Sequence, residues 1–297
     1  MSGYNVNGER LEDDYILVGT VLDASSSSNS YLAMKQLLDI GKKRLKNPNA
    51  TIASTEFDKA TAGIVCCLPK YNAALYDGYN FDILYSKNPA VQHGPASVTK
   101  ILTISTGLPY VSDLSDRITF IADDIKTGSG AIFEAGDIVT IKDLLFAIMF
   151  WSSNTAAFAF ARYIGAKLLN DQSASSADCV TAFVAEMNRV ATSIGCSGSS
   201  FDSPSGYSST NLTTVSDLLK ITIHASSFRE LDDVWNKTTY TINIDGQNPR
   251  TETGTFSVTT NSTINADYNV FGGKPGSLTL DGNVFNGLAM IAKPKTP

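Results

Sequence analysis

The stretch 93-HGPASVTKILTIST-106 carries one lysine in an otherwise small and apolar text. From Ile101 onward, Ile101, Leu102, Ile104 and Leu108 recur at helical spacing and mark a core-facing stripe. Pro95 and Ser97 suit a first turn, where a missing N–H costs nothing and a hydroxyl can cap. Ser97 and Lys100 stand three apart and share one helix face, so hydroxyl and amine can meet. Taken alone, S-x-x-K is satisfied by a capping serine and a lysine whose stem lies along apolar surface. The text on either side decides between that and chemistry.

Upstream, YILVGTVLD (15–23) reads as a buried strand, and YLAMKQLLDIGKKRLK (31–46) as an amphipathic helix stopped by Asn47-Pro48-Asn49. TAGIVCCL (61–68) and AALYDGYN (73–80) read as a strand pair. Downstream, residues 97 to about 225 are mainly helical: DLLFAIMF leads into WSSNTAAFAFARYIGAKLL, and later come TAFVAEMNRVATSIG and TVSDLLKITIHAS. From residue 238 the pattern becomes threonine-rich alternation, with TTYTINI, TFSVTTN, NVFGG and NGLAMIAK as strands. Strands at both ends around a helical middle predict one sheet built from both termini, with a helical subdomain inserted. The serine-rich stretches are too short to be anything but loops.

Composition narrows the partners. The 297 residues are 43% hydrophobic, ample for a core, and the net charge of −6 with no basic stripe argues against nucleic acid. The longest apolar run, residues 144–151, is too short to cross a bilayer. The first residues are polar and acidic and do not read as a signal peptide. Four cysteines form no C-x-x-C and no Cys/His cluster, so buried free thiols are expected and no metal or other cofactor is called for. His93 and His224 are the only histidines, and neither sits in a triad setting.

Three short motifs follow in order. Ser97-Val98-Thr99-Lys100 is S-x-x-K, Ser152-Ser153-Asn154 is S-x-N at the end of an apolar helix, and Lys274-Pro275-Gly276 approximates K-T-G on a late strand. Singly, the last two are common loop text. Their joint order is the signature of penicillin-binding proteins and serine β-lactamases. A serine hydroxyl needs a base beside it to attack. A lysine at its free pKa of ~10.4 is protonated at neutral pH and is no base. Burial and a second cation, Lys274, both penalise its charged form.

The chain therefore resembles the low-molecular-mass D-alanyl-D-alanine carboxypeptidases. TGSGAIFEAGDIVTIKDLLFAIMFWSSNTAAFAFARYIG is similar to the segment that carries their S-G-N motif. MNRVATSIGCSGSSFDSPSGYSSTNLTTVSDLLKI resembles their M-N-x-x-A-x-x-L-G…F-x-N-P-x-G-L…T-x-x-D-L text, and TTNSTINADYNVFGGKPGS their approach to K-T-G. The resemblance implies an α+β, β-lactamase/DD-peptidase-like fold in a single domain. Its antiparallel sheet would come from residues 1–96 and 227–297, and its helical subdomain from residues 97–226. It further implies Ser97 as nucleophile, Lys100 as base, Ser152 as proton relay and Asn154 as a substrate or lysine partner. Lys274 would be the second cation, and Pro275, Gly276 and Ser277 would line the substrate strand. Backbone N–H groups of Ser97 and Ser277 would form an oxyanion hole. The implied substrate is a peptidoglycan stem peptide, with β-lactams as acylating ligands, and the implied location is extracytoplasmic.

Two departures stand out. Pro275 replaces the motif threonine and loses both its hydroxyl and its N–H. The family's arginine near the start of the helix after its last strands has no counterpart in SSSSNSYLAMK (25–35). A β-lactamase on the same scaffold is the first alternative, but the loop FDSPSGYSST offers only Asp202 where a class A enzyme needs a glutamate. A non-catalytic relative that binds wall peptides is the second. Finally, residues 15–46 resemble the strand and helix that follow K-T-G in the family, yet here they come first. That order predicts a circular permutation, with residues 15–23 pairing antiparallel with residues 284–292 and the helix at 31–46 on one sheet face.

Overall fold

In the computed structural model, residues 15–69 and 81–295 are described. Strand β1 (Tyr15–Ala24) is apolar on both faces because it lies at the centre of a sheet covered on both sides. Helix α1 (Ser27–Lys46) follows at once, its first turn capped by the Ser26 hydroxyl, which accepts from the Asn29 N–H. The cap explains why the helix starts four residues before the apolar stripe that announces it. Met34, Leu37, Leu38 and Leu45 of that stripe are fully buried, and α1 packs on β1, β2 (Ala60–Pro69) and the C-terminal strand. The antiparallel partner of β2 is β3 (Asp82–Lys87). The strand expected over 73–80 lies outside the described residues.

The helical part begins with a single 3₁₀ turn, residues 96–99, and α2 (Lys100–Gly107). A two-stranded ribbon, β4 (Arg117–Thr119) with β5 (Ile138–Thr140), leads into α3 (Ile141–Phe150), where Thr140 and Asp143 form a capping box. Helices α4 (Asn154–Leu169), α5 (Ser176–Ser193), α6 (Val215–Ala225) and α7 (Arg229–Trp235) complete it. Helix α6 packs against α2 and against the sheet face opposite α1, where the Thr20 hydroxyl donates to the Val215 carbonyl at 2.8 Å.

The chain then makes a second ribbon, β6 (Thr239–Ile244) with β7 (Arg250–Thr255). The expectation of a strand over TFSVTTN is corrected here. The ribbon's register pairs Thr239 with Thr255 and ends there, so no partner strand remains among the described residues. Residues beyond it form two short helical turns, α8 (Ser257–Thr260) and α9 (Ser262–Asn265), with Phe256 and Val258 in the core.

Strands β8 (Tyr268–Leu280) and β9 (Asn283–Pro294) form the last hairpin, and the main sheet has five strands in the order β3-β2-β1-β9-β8, all antiparallel. Strand β1 pairs with β9 from Leu17↔Ala292 to Leu22↔Gly287, the pairing expected from the sequence. All four cysteines are buried and none is in a disulfide.

Candidate active site

Sequence places Ser97 and Lys100 on one helical face, and the structure tightens that placement. A 3₁₀ turn has three residues per turn, so positions i and i+3 eclipse, and Lys100 stands directly over Ser97. Ala96, just before the serine, has a left-handed backbone (φ 48°), a strained conformation that sets the approach of the turn. Lys100 is fully buried, and its Nζ lies 3.0 Å from Ser97 Oγ, 2.9 Å from Asn154 Oδ1 and 2.6 Å from the Ser205 carbonyl.

Burial and a neighbouring cation, rather than the three oxygens themselves, favour the neutral amine, and the oxygens then fix its orientation. A neutral lysine has two N–H donors and one lone pair. Asn154 Oδ1 and the Ser205 carbonyl can only accept, so they take the two donors. The lone pair then faces the Ser97 hydroxyl, which donates to it. Burial pushes the Lys100 amine well below its ordinary value of 10.5, and the neighbouring Lys274 pushes it further the same way.

The second motif occupies the junction of α3 and α4. Ser153 is the N-cap of α4 and does structural work: its hydroxyl accepts from the Ala156 N–H and donates to the Gly130 carbonyl at 2.8 Å. Asn154, nearly fully buried, donates through Nδ2 to the Thr127 carbonyl at 2.8 Å, which turns Oδ1 towards Lys100. Ser152 is held left-handed (φ 54°), and its buried hydroxyl has no hydrogen-bond partner among the described residues. A buried polar atom left unpaired costs about 1–3 kcal/mol, a state that functional sites retain and cores rarely do.

Strand β8 forms the opposite wall. Lys274 is 1% exposed, its Nζ donates to the Pro275 carbonyl at 2.8 Å, and burial lowers its pKa to about 7. Gly276 lets the strand lie against the Ser97 turn, since a Cβ there would stand 2.6 Å from the Pro95 carbonyl oxygen. Ser277, next on the strand, is exposed into a cleft of about 210 Å³ that it lines with Ser97, Asn154, Gly128, Tyr207 and Thr279. Of the motif residues named from sequence, Ser97, Lys100 and Asn154 touch, Lys274 acts on Lys100 through charge, and Gly276 packs on the serine turn, whereas Ser152 makes no hydrogen bond to any of them and is not among the residues lining the cleft.

Some participants have no motif of their own. The Ser205 carbonyl reaches Lys100 because Gly206 (φ 76°) seats its loop against Ala96, where a Cβ would meet the Ala96 carbonyl oxygen at 1.9 Å. The signal is the S-P-S-G text of that loop, which sequence reading matches to the family's F-x-N-P-x-G-L and weighs for its acid, without assigning its backbone a role. Asp202 itself is exposed and accepts from the Thr210 hydroxyl. Neither histidine joins the cluster: His93 pairs through its backbone with Thr213, and His224 packs edge-on against Phe228.

Comparison with known proteins gives one consistent result. The profile of a family described as D-alanyl-D-alanine carboxypeptidase matches residues 71–293. The D-alanyl-D-alanine carboxypeptidase DacF of Bacillus subtilis is 30% identical over 140 residues, which are 46% of this chain and 33% of that protein. The D-alanyl-D-alanine carboxypeptidase of Streptomyces sp. strain K15 is 30% identical over 206 residues, 63% of this chain and 68% of that one. Among solved structures, a mutant of the Streptomyces K15 DD-transpeptidase superposes with a TM-score of 0.58 at 25% identity, covering 70% of this chain and 85% of that chain. The chain thus spans about a third of the Bacillus relative's length and about two thirds of the Streptomyces one.

Proposed function

The chain belongs to the D-alanyl-D-alanine carboxypeptidase family, and from that premise we propose that it is a serine acyl-transfer hydrolase of peptidoglycan stem peptides, working outside the cytoplasm and acylated at the same serine by penicillins. The observation that carries the reading is the full burial of Lys100 with its Nζ 3.0 Å from Ser97 Oγ: in the neutral amine, Asn154 Oδ1 and the Ser205 carbonyl take the two N–H groups and the lone pair is left for Ser97.

In the proposed cycle Lys100 takes the Ser97 proton as Oγ attacks the carbonyl carbon of the D-alanyl-D-alanine bond. Negative charge gathers on the carbonyl oxygen, where the backbone N–H groups of Ser97 and Ser277 receive it, each donor contributing about 3–4 kcal/mol. We assign the passage of that proton to the leaving amine to Ser152 by its place in the S-x-N motif; its buried hydroxyl has no partner among the described residues of the free chain, so the role requires it to turn towards Lys100 when substrate is bound. Lys274 keeps a positive potential over the site at and below neutral pH while discouraging a second charge on Lys100. Water then hydrolyses the ester. The loop 201–210 contains no glutamate to activate that water, so a penicilloyl adduct is expected to persist for minutes. Intact-mass measurement after incubation with a penicillin tests the reading: one adduct per chain supports it, and no adduct at millimolar ligand overturns it. Rapid hydrolysis of a chromogenic cephalosporin replaces it with the β-lactamase reading.

We read the chain order as a circular permutation of the family's single domain. Two observations support this. The family profile begins at residue 71, beyond β1, α1 and β2, and the β1–β9 register, continued two residues from Leu17↔Ala292, sets Tyr15 opposite Pro294. Ends that close can be joined and the chain reopened at a surface loop. A re-cut chain running 49–295, a short glycine–serine linker, then 15–47, opens at the exposed Asn47–Asn49 turn. It is expected to fold and to label with penicillin within about threefold of the parent rate, and a chain that fails to fold contradicts the permutation.

A further inference from the structure

At Ser277 the wall of the cleft offers substrate a hydrogen-bond polarity opposite to the one a free carboxylate needs. Position 275 is proline, with neither hydroxyl nor N–H. Ser277, two residues on and on the same strand face, presents the first side-chain hydroxyl to the cleft. Its partner directly across the hairpin is Asn286 on β9, 2% exposed.

The orientation of Asn286 follows from what surrounds it. One end of its amide lies 3.0 Å from the Ala24 carbonyl oxygen, which can only accept, so that end is the nitrogen. The other end is then Oδ1, 2.8 Å from Ser277 Oγ, and between these two oxygens the only proton is that of the serine. The Ser277 hydroxyl is therefore committed as a donor to Asn286 and turns lone pairs to the cleft. The residues lining that cleft include no arginine or lysine, and the two nearby amines, Lys100 and Lys274, are buried on internal oxygens.

We propose that Asn286, acting through Ser277, sets this site to accept substrates whose leaving group ends in a neutral hydrogen-bond donor at least as well as those ending in a free carboxylate. The substrate class is a D-alanyl-D-alanine peptide whose terminal carboxyl is amidated or continues into further peptide. The inference rests on the acyl-enzyme reading above and names what that site recognises. For an amidated peptide, Ser97 Oγ forms the ester, the C–N bond to D-alaninamide breaks, and the amine leaves with the proton taken from Ser97. Water cleaves the ester and restores the serine. In the bound peptide, the terminal amide N–H donates to Ser277 Oγ; a carboxylate oxygen there meets lone pairs instead. Asn286 is a positioning residue, and Ser277 the group that touches substrate.

The test uses two peptides that differ only in their last group, one ending D-alanyl-D-alanine and the other D-alanyl-D-alaninamide, and reads the amide-to-acid ratio of kcat/KM. The full chain is expected to give a ratio of one or more. Ser277→Ala, a change at an exposed side chain, lowers the ratio by removing the acceptor. Asn286→Leu releases the serine proton to donate, and shifts the ratio towards the acid by about tenfold. A merely structural role would reduce both substrates alike and leave the ratio unmoved. A ratio below one in the parent chain overturns the proposal, as does a ratio unchanged in Ser277→Ala. Labelling of Ser97 by an uncharged nitrophenyl ester separates the two failures. A labelled serine with a carboxylate preference sinks only this inference, whereas an unlabelled serine sinks the acyl-enzyme reading and this inference with it.

Discussion

Ser97→Ala is expected to abolish the penicilloyl adduct, with intact-mass spectra showing only unmodified chain where the parent is fully labelled. The expected loss is total because, among the described residues, Ser97 is the one hydroxyl hydrogen-bonded to the Lys100 amine. The Ser152 hydroxyl is buried with no partner among the described residues to deprotonate it, and Ser277 has its proton committed to Asn286. Removing one oxygen leaves Lys100 Nζ with Asn154 Oδ1 and the Ser205 carbonyl, so the buried amine keeps both obligate partners. The melting midpoint should therefore move by only about 2 °C. Peptide mapping of the parent should place the adduct on the fragment that holds Ser97. An adduct that survives in Ser97→Ala assigns the nucleophile elsewhere.

Lys100→Met carries the second largest effect. The thioether fills much of the same volume without a base, and acylation by an uncharged activated ester should slow by roughly 10³-fold, within the range for loss of a general base. Two buried acceptors lose their donor in this variant, so a stability loss of about 1–3 kcal/mol is expected alongside. Lys100→Arg separates the two effects. Its guanidinium restores donors but does not deprotonate, so it should acylate no faster than Lys100→Met. Recovery of rate in the arginine variant would mean that charge, not basicity, is what the site draws from this position. Rates are read by stopped-flow release of nitrophenol, with Ser97→Ala as the background.

What was legible in the sequence tracks how local each determinant is. The Ser97–Lys100 pair is a matter of one turn, and S-x-x-K states it outright. Asn154 is legible through S-x-N, although its contact with Lys100 spans the helical subdomain. Strand β1 and helix α1 announce themselves by apolar patterning, and the β1–β9 pairing by likeness of text to the family's later segment. The alternation of TFSVTTN misled because a period of two fits a strand only while a partner exists, and Thr255 is where the partner ends. Backbone groups leave no trace in residue identity, which is why the Ser205 carbonyl is invisible until the fold brings it 2.6 Å from an amine 105 positions earlier. Asn286 is hidden for another reason: its meaning lies in the polarity set by Ala24, 262 positions away across two strands.

The central claim is that Lys100 is neutral and acts as base because it is buried beside Lys274. The direct measurement is the pH dependence of Ser97 acylation by an uncharged nitrophenyl ester, from pH 5 to pH 11. A base must lose its proton to act, so a depressed pKa makes the rate rise through an inflection well below the ordinary lysine range and level off before pH 10. Lys274, titrating at about 7, adds a decline or a shoulder on the alkaline side of neutrality as its charge is lost. The account predicts the early rise in the parent chain and its disappearance in Lys100→Met. A rate that keeps climbing through pH 10, or one whose early inflection survives in Lys100→Met, contradicts it.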